Sequence, residues 1–206
     1  MPKAKNVKEY IAMHRGGIAA NPDCGTSHYN LAIGLMGQKK YNEAEKELIA
    51  AIDCSPSLAE AYVQLGGICL QRGDLDGCLE YNKQATKARA GFFEGYGNIG
   101  FVHLQRGEAE EAIAALKKAL SFNSRFIQAY STLASAYLMS NMIDESIEAN
   151  LKVIELDPDF AVAYNNLAIA YLEKGKYDKA VENCDKATKF GYEVAREILK
   201  EIDTYR

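Results

Sequence analysis

Residues 161–187 spell AVAYNNLAIAYLEKGKYDKAVENCDKA, and this stretch decides the fold of the chain. Small and apolar residues recur in it at steps of three and four, which places them on one face of each of two helices. Gly175 separates the two segments, and glycine most readily adopts the left-handed conformation that ends a helix. Two helices of this length cannot cover their own apolar faces. The stretch therefore predicts a stack of helix pairs.

The same pattern returns at intervals of 34 residues along the chain. Tyr164 is preceded at this interval by Tyr130, Tyr96 and Tyr62, and then by His28. Two further places hold a small residue in every copy. They are Ala32, Gly66, Gly100, Ala134 and Ala168 at the first, and Ala44, Cys78, Ala112, Ser146 and Ala180 at the second. A fixed interval without insertions predicts five tandem repeats, at residues 25–58, 59–92, 93–126, 127–160 and 161–194.

Incomplete repeats are expected at both ends of this array. Residues 1–24 are predicted to hold a loose tail (1–5) and one helix, in phase with the second helix of a repeat. We interpret this helix as a cap; the alternative is a detachable element that docks in the groove of a second copy. Residues 195–206 are predicted to form a polar-backed C-terminal capping helix, which a repeat array needs to stay soluble. Its inward residues are Val194, Ile198, Leu199 and Ile202.

Composition argues against several classes of function. The formal net charge of −4 provides no basic excess for binding nucleic acid. No apolar run approaches the roughly 18 residues that a membrane span requires, and no leader peptide is evident. The five cysteines form no CxxC motif, and we expect reduced, buried thiols in a cytoplasmic protein.

One short motif imitates a nucleotide-binding loop. The stretch from Gly95 to Gly100 matches GxGxxG, but a dinucleotide site needs a strand before the motif and a helix that opens at it. Here the repeat places the motif inside a first helix. Cys69 and Cys78 lack two further zinc ligands. The histidines fall at helix packing positions: His14, His28 and His103. The sequence therefore predicts no enzyme, no metal and no cofactor.

The repeat resembles the tetratricopeptide repeat (TPR) family. The matching residues of the last repeat are Tyr164, Leu167, Ala168, Tyr171, Gly175, Tyr177, Ala180 and Ala187. Lys39 and Asn141 depart from the family pattern at the turn glycine, and Asn82 and Asn150 depart from it at an aromatic position. The resemblance implies an all-α protein, a right-handed α-solenoid of five TPR helix-turn-helix units. An N-terminal half-unit helix and a C-terminal capping helix complete it.

The resemblance also implies a binding surface, because the first helices of TPR solenoids line a concave groove that binds protein segments. By position, the lining comprises Tyr29, Asn30, Ile33, Met36, Val63, Gln64, Gly67, Leu70, Gln71, Gly97, Asn98, Phe101, Leu104, Gln105, Ser131, Thr132, Ser135, Leu138, Asn165, Asn166 and Ile169. The sixth place of each repeat is polar, from Asn30 to Asn166. Such a ladder could pair with the main chain of an extended peptide. The alternative is that asparagine is simply common at this place in the family.

The character of this lining predicts the kind of partner. It is mostly apolar or uncharged, and the places that form a carboxylate clamp in chaperone-binding TPR proteins hold no cation. Gly67 and Gly97 are expected to be exposed and to leave a hollow for an apolar anchor. We predict a non-enzymatic adaptor, scaffold or assembly factor that binds an uncharged to apolar protein segment. The alternatives are a self-assembling scaffold, hence a homo-oligomer, and a nucleotide- or metal-dependent enzyme.

Overall fold

The computed structural model of the protein describes residues 6–206. This part of the chain contains twelve α-helices and no strand, so the predicted all-α class is confirmed. The expected tail at residues 1–5 lies outside the described residues. The helices are α1 Val7–Ala20, α2 Gly25–Gly37, α3 Tyr41–Cys54, α4 Ala59–Gln71, α5 Leu75–Ala88, α6 Phe93–Gln105, α7 Ala109–Phe122, α8 Ile127–Met139, α9 Ile143–Leu156, α10 Ala161–Glu173, α11 Tyr177–Lys189 and α12 Arg196–Asp203.

The interval of the sequence is also the interval of the helices. The first helix of each pair begins 34 residues after the previous one, at Gly25, Ala59, Phe93, Ile127 and Ala161. The second helices keep the same spacing from Tyr41 to Tyr177. The chain forms two compact bodies, Met1–Asn98 and Ile99–Arg206, with the boundary inside α6. We call them the N-terminal and the C-terminal body.

Each body has its own apolar core. In the N-terminal body, Ile11 of α1 joins a buried cluster with Leu35, Leu48 and Leu65. In the C-terminal body, the buried cluster includes Leu167, Tyr171, Cys184, Val194 and Ile202. Both clusters are built from the residues that recur at helical spacing in the sequence. Burial of these side chains is the main force that holds the helices together.

Small residues allow the two helices of a pair to approach closely. Ala32 and Ala44 are fully buried between α2 and α3. A β-carbon at Gly100 would lie 2.5 Å from Cγ of Leu116, so α6 cannot carry a larger residue there without movement. In the pair α8–α9, the hydroxyl of Ser146 donates a hydrogen bond of 2.8 Å to the carbonyl of Ala134.

The turn inside each helix pair contains one residue in the left-handed conformation. The φ angles are 60° at Lys39, 77° at Gly73, 78° at Gly107, 56° at Asn141 and 68° at Gly175. The following N–H then reaches back to the end of the first helix, as from Lys40 to the carbonyl of Leu35 at 3.0 Å. This bond satisfies a carbonyl that would otherwise lack a partner. Lys39 and Asn141 thus form the same turn as the glycines, with a β-carbon in an unfavourable position.

Replacing Lys39 with glycine should stabilise the protein. A β-carbon in the left-handed region costs about 1 kcal/mol, and asparagine tolerates the region better than lysine. We expect Lys39→Gly to raise the free energy of unfolding by up to about 1 kcal/mol, and Asn141→Gly to raise it by less. The reverse change, Gly107→Lys, should lower it by about 1 kcal/mol. Urea denaturation measures all three, and a larger gain at Asn141 than at Lys39 would contradict this explanation.

A repeated hydrogen bond fixes the loop before two of the first helices. The hydroxyl of Tyr164 donates to the carbonyl of Pro158 at 2.8 Å. At the equivalent place in the first pair, Nε2 of His28 lies 2.9 Å from the carbonyl of Pro22. Nδ1 of His28 lies 2.7 Å from a carboxylate oxygen of Glu47. Because both ring nitrogens face acceptors, the arrangement favours the doubly protonated ring.

The environment of His28 favours its charged form. Partial burial by itself would lower the pKa of His28, but the hydrogen bonds to Glu47 and Pro22 and the charge of Glu47 outweigh burial. The pKa is therefore raised above its ordinary value. In its protonated form, His28 links the loop before α2 to α3. The contribution to stability is fully present below the pKa of unfolded histidine, about 6.5, and is lost as the pH rises through the folded pKa.

Replacing His28 with glutamine should therefore cost more stability at acidic than at alkaline pH. We expect the loss in free energy of unfolding to be larger near about pH 5.5 than near about pH 8.5, because only the imidazolium donates both hydrogen bonds. Urea denaturation at the two pH values measures the difference. Glu47→Gln removes the charged acceptor and should weaken the pH dependence. An equal loss for His28→Gln at both pH values would disprove the role of the charged ring.

The terminal helices pack on their neighbours in the same chain. The side chain of Asn6 caps α1 by accepting from the N–H of Glu9 at 3.0 Å. A β-carbon at Gly34 would lie 2.8 Å from Cγ1 of Ile11, so α1 and α2 touch directly. The expectation that Val7 faces inward is wrong, because 47% of this residue is exposed beyond the reach of α2.

The C-terminal helix α12 agrees with the prediction from sequence. Val194 and Ile202 are buried, while Ile198 and Leu199 are half-buried against the same core. The residues expected on the outer side are exposed: Arg196, Glu197, Lys200 and Glu201.

Candidate protein-binding surface

The predicted lining of the N-terminal body lies on α2 and α4. Most of these side chains are half-buried: Tyr29, Asn30, Ile33, Met36, Val63, Gln64 and Leu70. Gln71 and Gly67 are exposed, and a β-carbon at Gly67 would meet no atom within 4 Å. Half-buried side chains are held in place by their own helix packing and still present a face to a partner.

An apolar cleft of about 300 Å³ lies beside this lining, between α1 and α2. It is lined by Asn6, Val7, Tyr10, Ile33, Gly34 and Gly37. Ile33 belongs to the predicted lining, whereas the residues of α1 were missed. The position of α1 before a helix pair with no helix preceding it was the available signal, because its outer apolar residues have no partner in the repeat pattern.

The polar ladder is partly used inside the protein. Nδ2 of Asn98 donates to Oδ1 of the buried Asn82 at 2.9 Å. The hydroxyl of Thr132 donates to the carbonyl of Gln128 in its own helix at 2.8 Å. Nδ2 of Asn166 lies 3.4 Å from the hydroxyl of Ser135, which belongs to the neighbouring first helix α8. These three side chains therefore have fewer groups to offer a partner than the sequence suggests.

Two members of the ladder keep their hydrogen-bonding groups available. Asn30 and Gln64 make no side-chain hydrogen bond with any residue between 6 and 206, and both are half-buried. They lie on α2 and α4 beside the apolar side chains of Tyr29, Ile33 and Val63. An amide offers both a donor and an acceptor. The N-terminal body is thus the part of the surface best suited to pair with a peptide main chain.

The predicted lining of the C-terminal body is more enclosed. Phe101, Leu104 and Ile169 are half-buried, as are Ser131, Thr132, Ser135 and Leu138, and Gln105 is exposed. Asn165 and Asn166 are only 7% and 8% exposed, so little of either side chain remains for a partner. The expectation that both hollow-forming glycines are exposed is wrong for Gly97, which is buried. The hollow itself stays a prediction.

The GxGxxG motif lies within α6 and has a packing role. A β-carbon at Gly95 would lie 2.9 Å from Cγ2 of Thr86, and one at Gly100 would overlap Leu116. No strand precedes the motif in the part of the chain that the structure describes. These glycines serve close helix contact, and the phosphate-binding geometry of a strand–turn–helix is absent from the described residues.

Two other searches of the described part of the chain gave negative results. Residues 6–206 contain no group of three or more His, Cys, Asp or Glu side chains that could hold a metal ion. No helix among them has the length and apolar character needed to cross a bilayer. Cys69, Cys78 and Cys184 are buried, as predicted.

The fold and its surface define a helical-repeat protein in which the first helix of each pair presents a mainly uncharged face. Family profiles identify the repeat. Those of the tetratricopeptide repeat match residues 29–91, 127–160 and 149–182, and a profile of the TPR repeat matches residues 102–141. The chain belongs to the tetratricopeptide repeat family. A comparison with curated proteins finds no match.

Solved structures of similar fold include other TPR proteins. YrrB, described as a TPR protein with an unusual peptide-binding site, has a TM-score of 0.73 and 20% identity, over 93% of this chain and 97% of YrrB. MamA has a TM-score of 0.70 and 25% identity, over 82% of this chain and 92% of MamA. PilF of Pseudomonas aeruginosa has a TM-score of 0.83 and 14% identity, over 98% of this chain and 90% of PilF.

Proposed function

We propose that the protein is a non-enzymatic interaction module, an adaptor, scaffold or assembly factor. It binds an uncharged to apolar segment of a partner protein along its first helices. One observation carries the proposal: the amides of Asn30 and Gln64 are half-buried on a mainly apolar surface and free of hydrogen bonds to residues 6–206. Such groups suit a ligand that brings both polar main-chain groups and apolar side chains, which describes an extended peptide.

The two kinds of side chain have separate roles in the proposed binding. The amides of Asn30 and Gln64 pair with the N–H and C=O groups of the peptide and set its position. Ile33 and Val63 cover its apolar side chains, and the cleft between α1 and α2 adds room beside Ile33. Apolar anchors in such places dominate binding energy. The peptide-binding site described for YrrB also supports a peptide as the ligand.

Removing both amides should weaken peptide binding markedly. Random dodecapeptides displayed on phage would be selected on the full chain, and the selected peptides measured by calorimetry. Each lost hydrogen bond costs about 1 kcal/mol, so Asn30→Ala combined with Gln64→Ala should weaken binding by about tenfold or more. Selected peptides should be poor in charged residues.

Thr132→Val provides the matched control. Its hydroxyl already donates within α8, so this change should leave peptide affinity nearly unaltered. Two results would overturn the proposed surface: selected peptides whose binding is unaffected by loss of both amides, or peptides that require Thr132 as much as they require Asn30 and Gln64.

The contacts of α1 support the role of a cap over that of an arm for a second copy. Ile11 is buried in the core of its own chain, and Gly34 allows direct contact between α1 and α2. An arm that left this place would expose both. The free cysteines, three of them buried, fit the cytoplasmic location that we propose for the module.

A further inference from the structure

A second cleft lies on another side of α1, against the turn between α2 and α3. Its volume is about 310 Å³, and its lining comprises Lys8, Ile11, Ala12, Arg15, Leu35, Gln38 and Lys40. Ile11 and Leu35 are buried and form an apolar floor. Three cations stand around that floor. This combination differs from the uncharged surface formed by Asn30, Gln64 and their neighbours.

The positive charge of this cleft is only partly neutralised. Glu43 lies 3.7 Å from Arg15 and 3.5 Å from Lys40, and it is the only carboxylate within salt-bridge distance of these cations among residues 6–206. Lys8 has no ion-pair partner in the same range. Two of the three positive charges therefore remain uncompensated, in a chain whose net charge is −4.

The equivalent place on the next helix pair is closed by an internal ion pair. Arg72 stands 34 residues after Gln38. Its guanidinium donates to both carboxylate oxygens of Glu45, at 2.9 and 2.7 Å, and to Oδ1 of Asn42 at 3.0 Å. Asn42 and Glu45 are themselves the equivalents of Lys8 and Ile11. A cation of the turn is thus matched by a carboxylate of the preceding second helix.

The C-terminal body repeats this arrangement. Lys174, another equivalent of Gln38, forms an ion pair with Asp144, the equivalent of Lys8. Both closed places join a cation on the turn to a carboxylate on the helix before it. At α1 the turn position is the neutral Gln38, and the helix position is the cation Lys8. The first place in the series therefore lacks the internal carboxylate and carries the opposite charge.

We propose that this cleft binds an acidic segment of a partner protein. Carboxylates of the segment lie among Lys8, Arg15 and Lys40, and an aliphatic side chain between them rests on Ile11 and Leu35. The partner supplies from outside the negative charge that Asp144 and Glu45 supply from within the chain. The site is separate from the amide surface and takes a ligand of the opposite chemistry, so the protein can hold two kinds of segment.

The test uses a protein in which the amide surface has been disabled. Phage-displayed random dodecapeptides are selected on the full chain carrying Asn30→Ala and Gln64→Ala. The selected peptides should contain Asp or Glu next to an aliphatic residue, and their affinity should fall as salt is raised. Combining Lys8→Gln, Arg15→Gln and Lys40→Gln should weaken their binding at least tenfold. Replacing their Asp and Glu by Asn and Gln should have the same effect.

Two further variants control for general charge and for folding. Lys83→Gln with Lys87→Gln removes exposed cations from α5 and should leave binding unchanged. Lys8→Asp with Gln38→Lys copies the pair formed by Asp144 and Lys174; it should abolish binding while the thermal midpoint stays the same or rises. Selection of no peptides, selection without acidic bias, or binding that survives the cleft variants would overturn the acidic site. None of these results bears on the amide surface.

Discussion

Ile202→Ala should lower the free energy of unfolding by about 3 kcal/mol, the largest loss that we expect from a single substitution in the terminal helices. Ile202 is fully buried and is the only buried residue of α12 among the described positions. Truncation removes apolar contacts and leaves a cavity beside Cys184 and Val194, which lie in the same core. A helix of eight residues has little stability by itself, so its position depends on this side chain.

The loss should be concentrated where α12 meets α11. Ile198→Ala is the matched control, because Ile198 is only half-buried and should cost roughly 1 kcal/mol. Urea denaturation measures both values, and hydrogen exchange should show faster opening of α11 in Ile202→Ala. The stack of Tyr177 on Tyr205, with ring centroids 3.7 Å apart, also holds the end of the chain. Equal losses for the two substitutions would show that α12 is not anchored through Ile202.

Asn150→Leu should have the opposite effect and raise the free energy of unfolding by about 2 kcal/mol. Asn150 is fully buried, and its Oδ1 has no hydrogen-bond partner within the described chain. A buried acceptor left unsatisfied costs about 1–3 kcal/mol. The equivalent positions of two other helix pairs hold Leu48 and Leu116, both fully buried, so leucine fits this environment.

Asn82→Leu is the matched comparison, because Asn82 is equally buried but has satisfied its polar groups. Its Nδ2 donates to the carbonyl of Cys78 at 2.8 Å, and its Oδ1 accepts from Asn98 at 2.9 Å. Leucine would remove both bonds and leave Asn98 without its partner, so we expect a loss of about 1 kcal/mol. Thermal and urea unfolding compare the variants. The explanation fails if both asparagines respond to leucine with the same sign.

Much of the fold follows from local patterns that recur in the sequence. The helix pairs, their interval and the place of each turn depend on apolar spacing and on one left-handed residue, which are properties of short segments. Even Lys39 and Asn141 hold the left-handed turn, because four glycine-like constraints come from the packed helices on either side. The inward residues of α12 were also predictable, since a helix buries residues that share one face.

The state of the binding surface was less predictable. Asn30 and Asn98 occupy the same place in two repeats, yet Asn98 is bound to Asn82 and Asn30 remains available. The difference depends on which side chain stands opposite: Asn82 in one case and the apolar Leu48, at the equivalent position of another pair, elsewhere. The burial of Gly97 likewise depends on neighbours that the repeat pattern does not specify.

By itself, the sequence determined that this protein is a series of helix pairs with an uncharged first-helix face, because periodic burial is a local property that repetition makes visible. Only the tertiary structure decided which amides are free and where charge gathers. Lys8 and Lys40 line one cleft although they are far apart in the chain. Their meeting depends on how α1 packs against the turn after α2, and no short-range pattern records that contact.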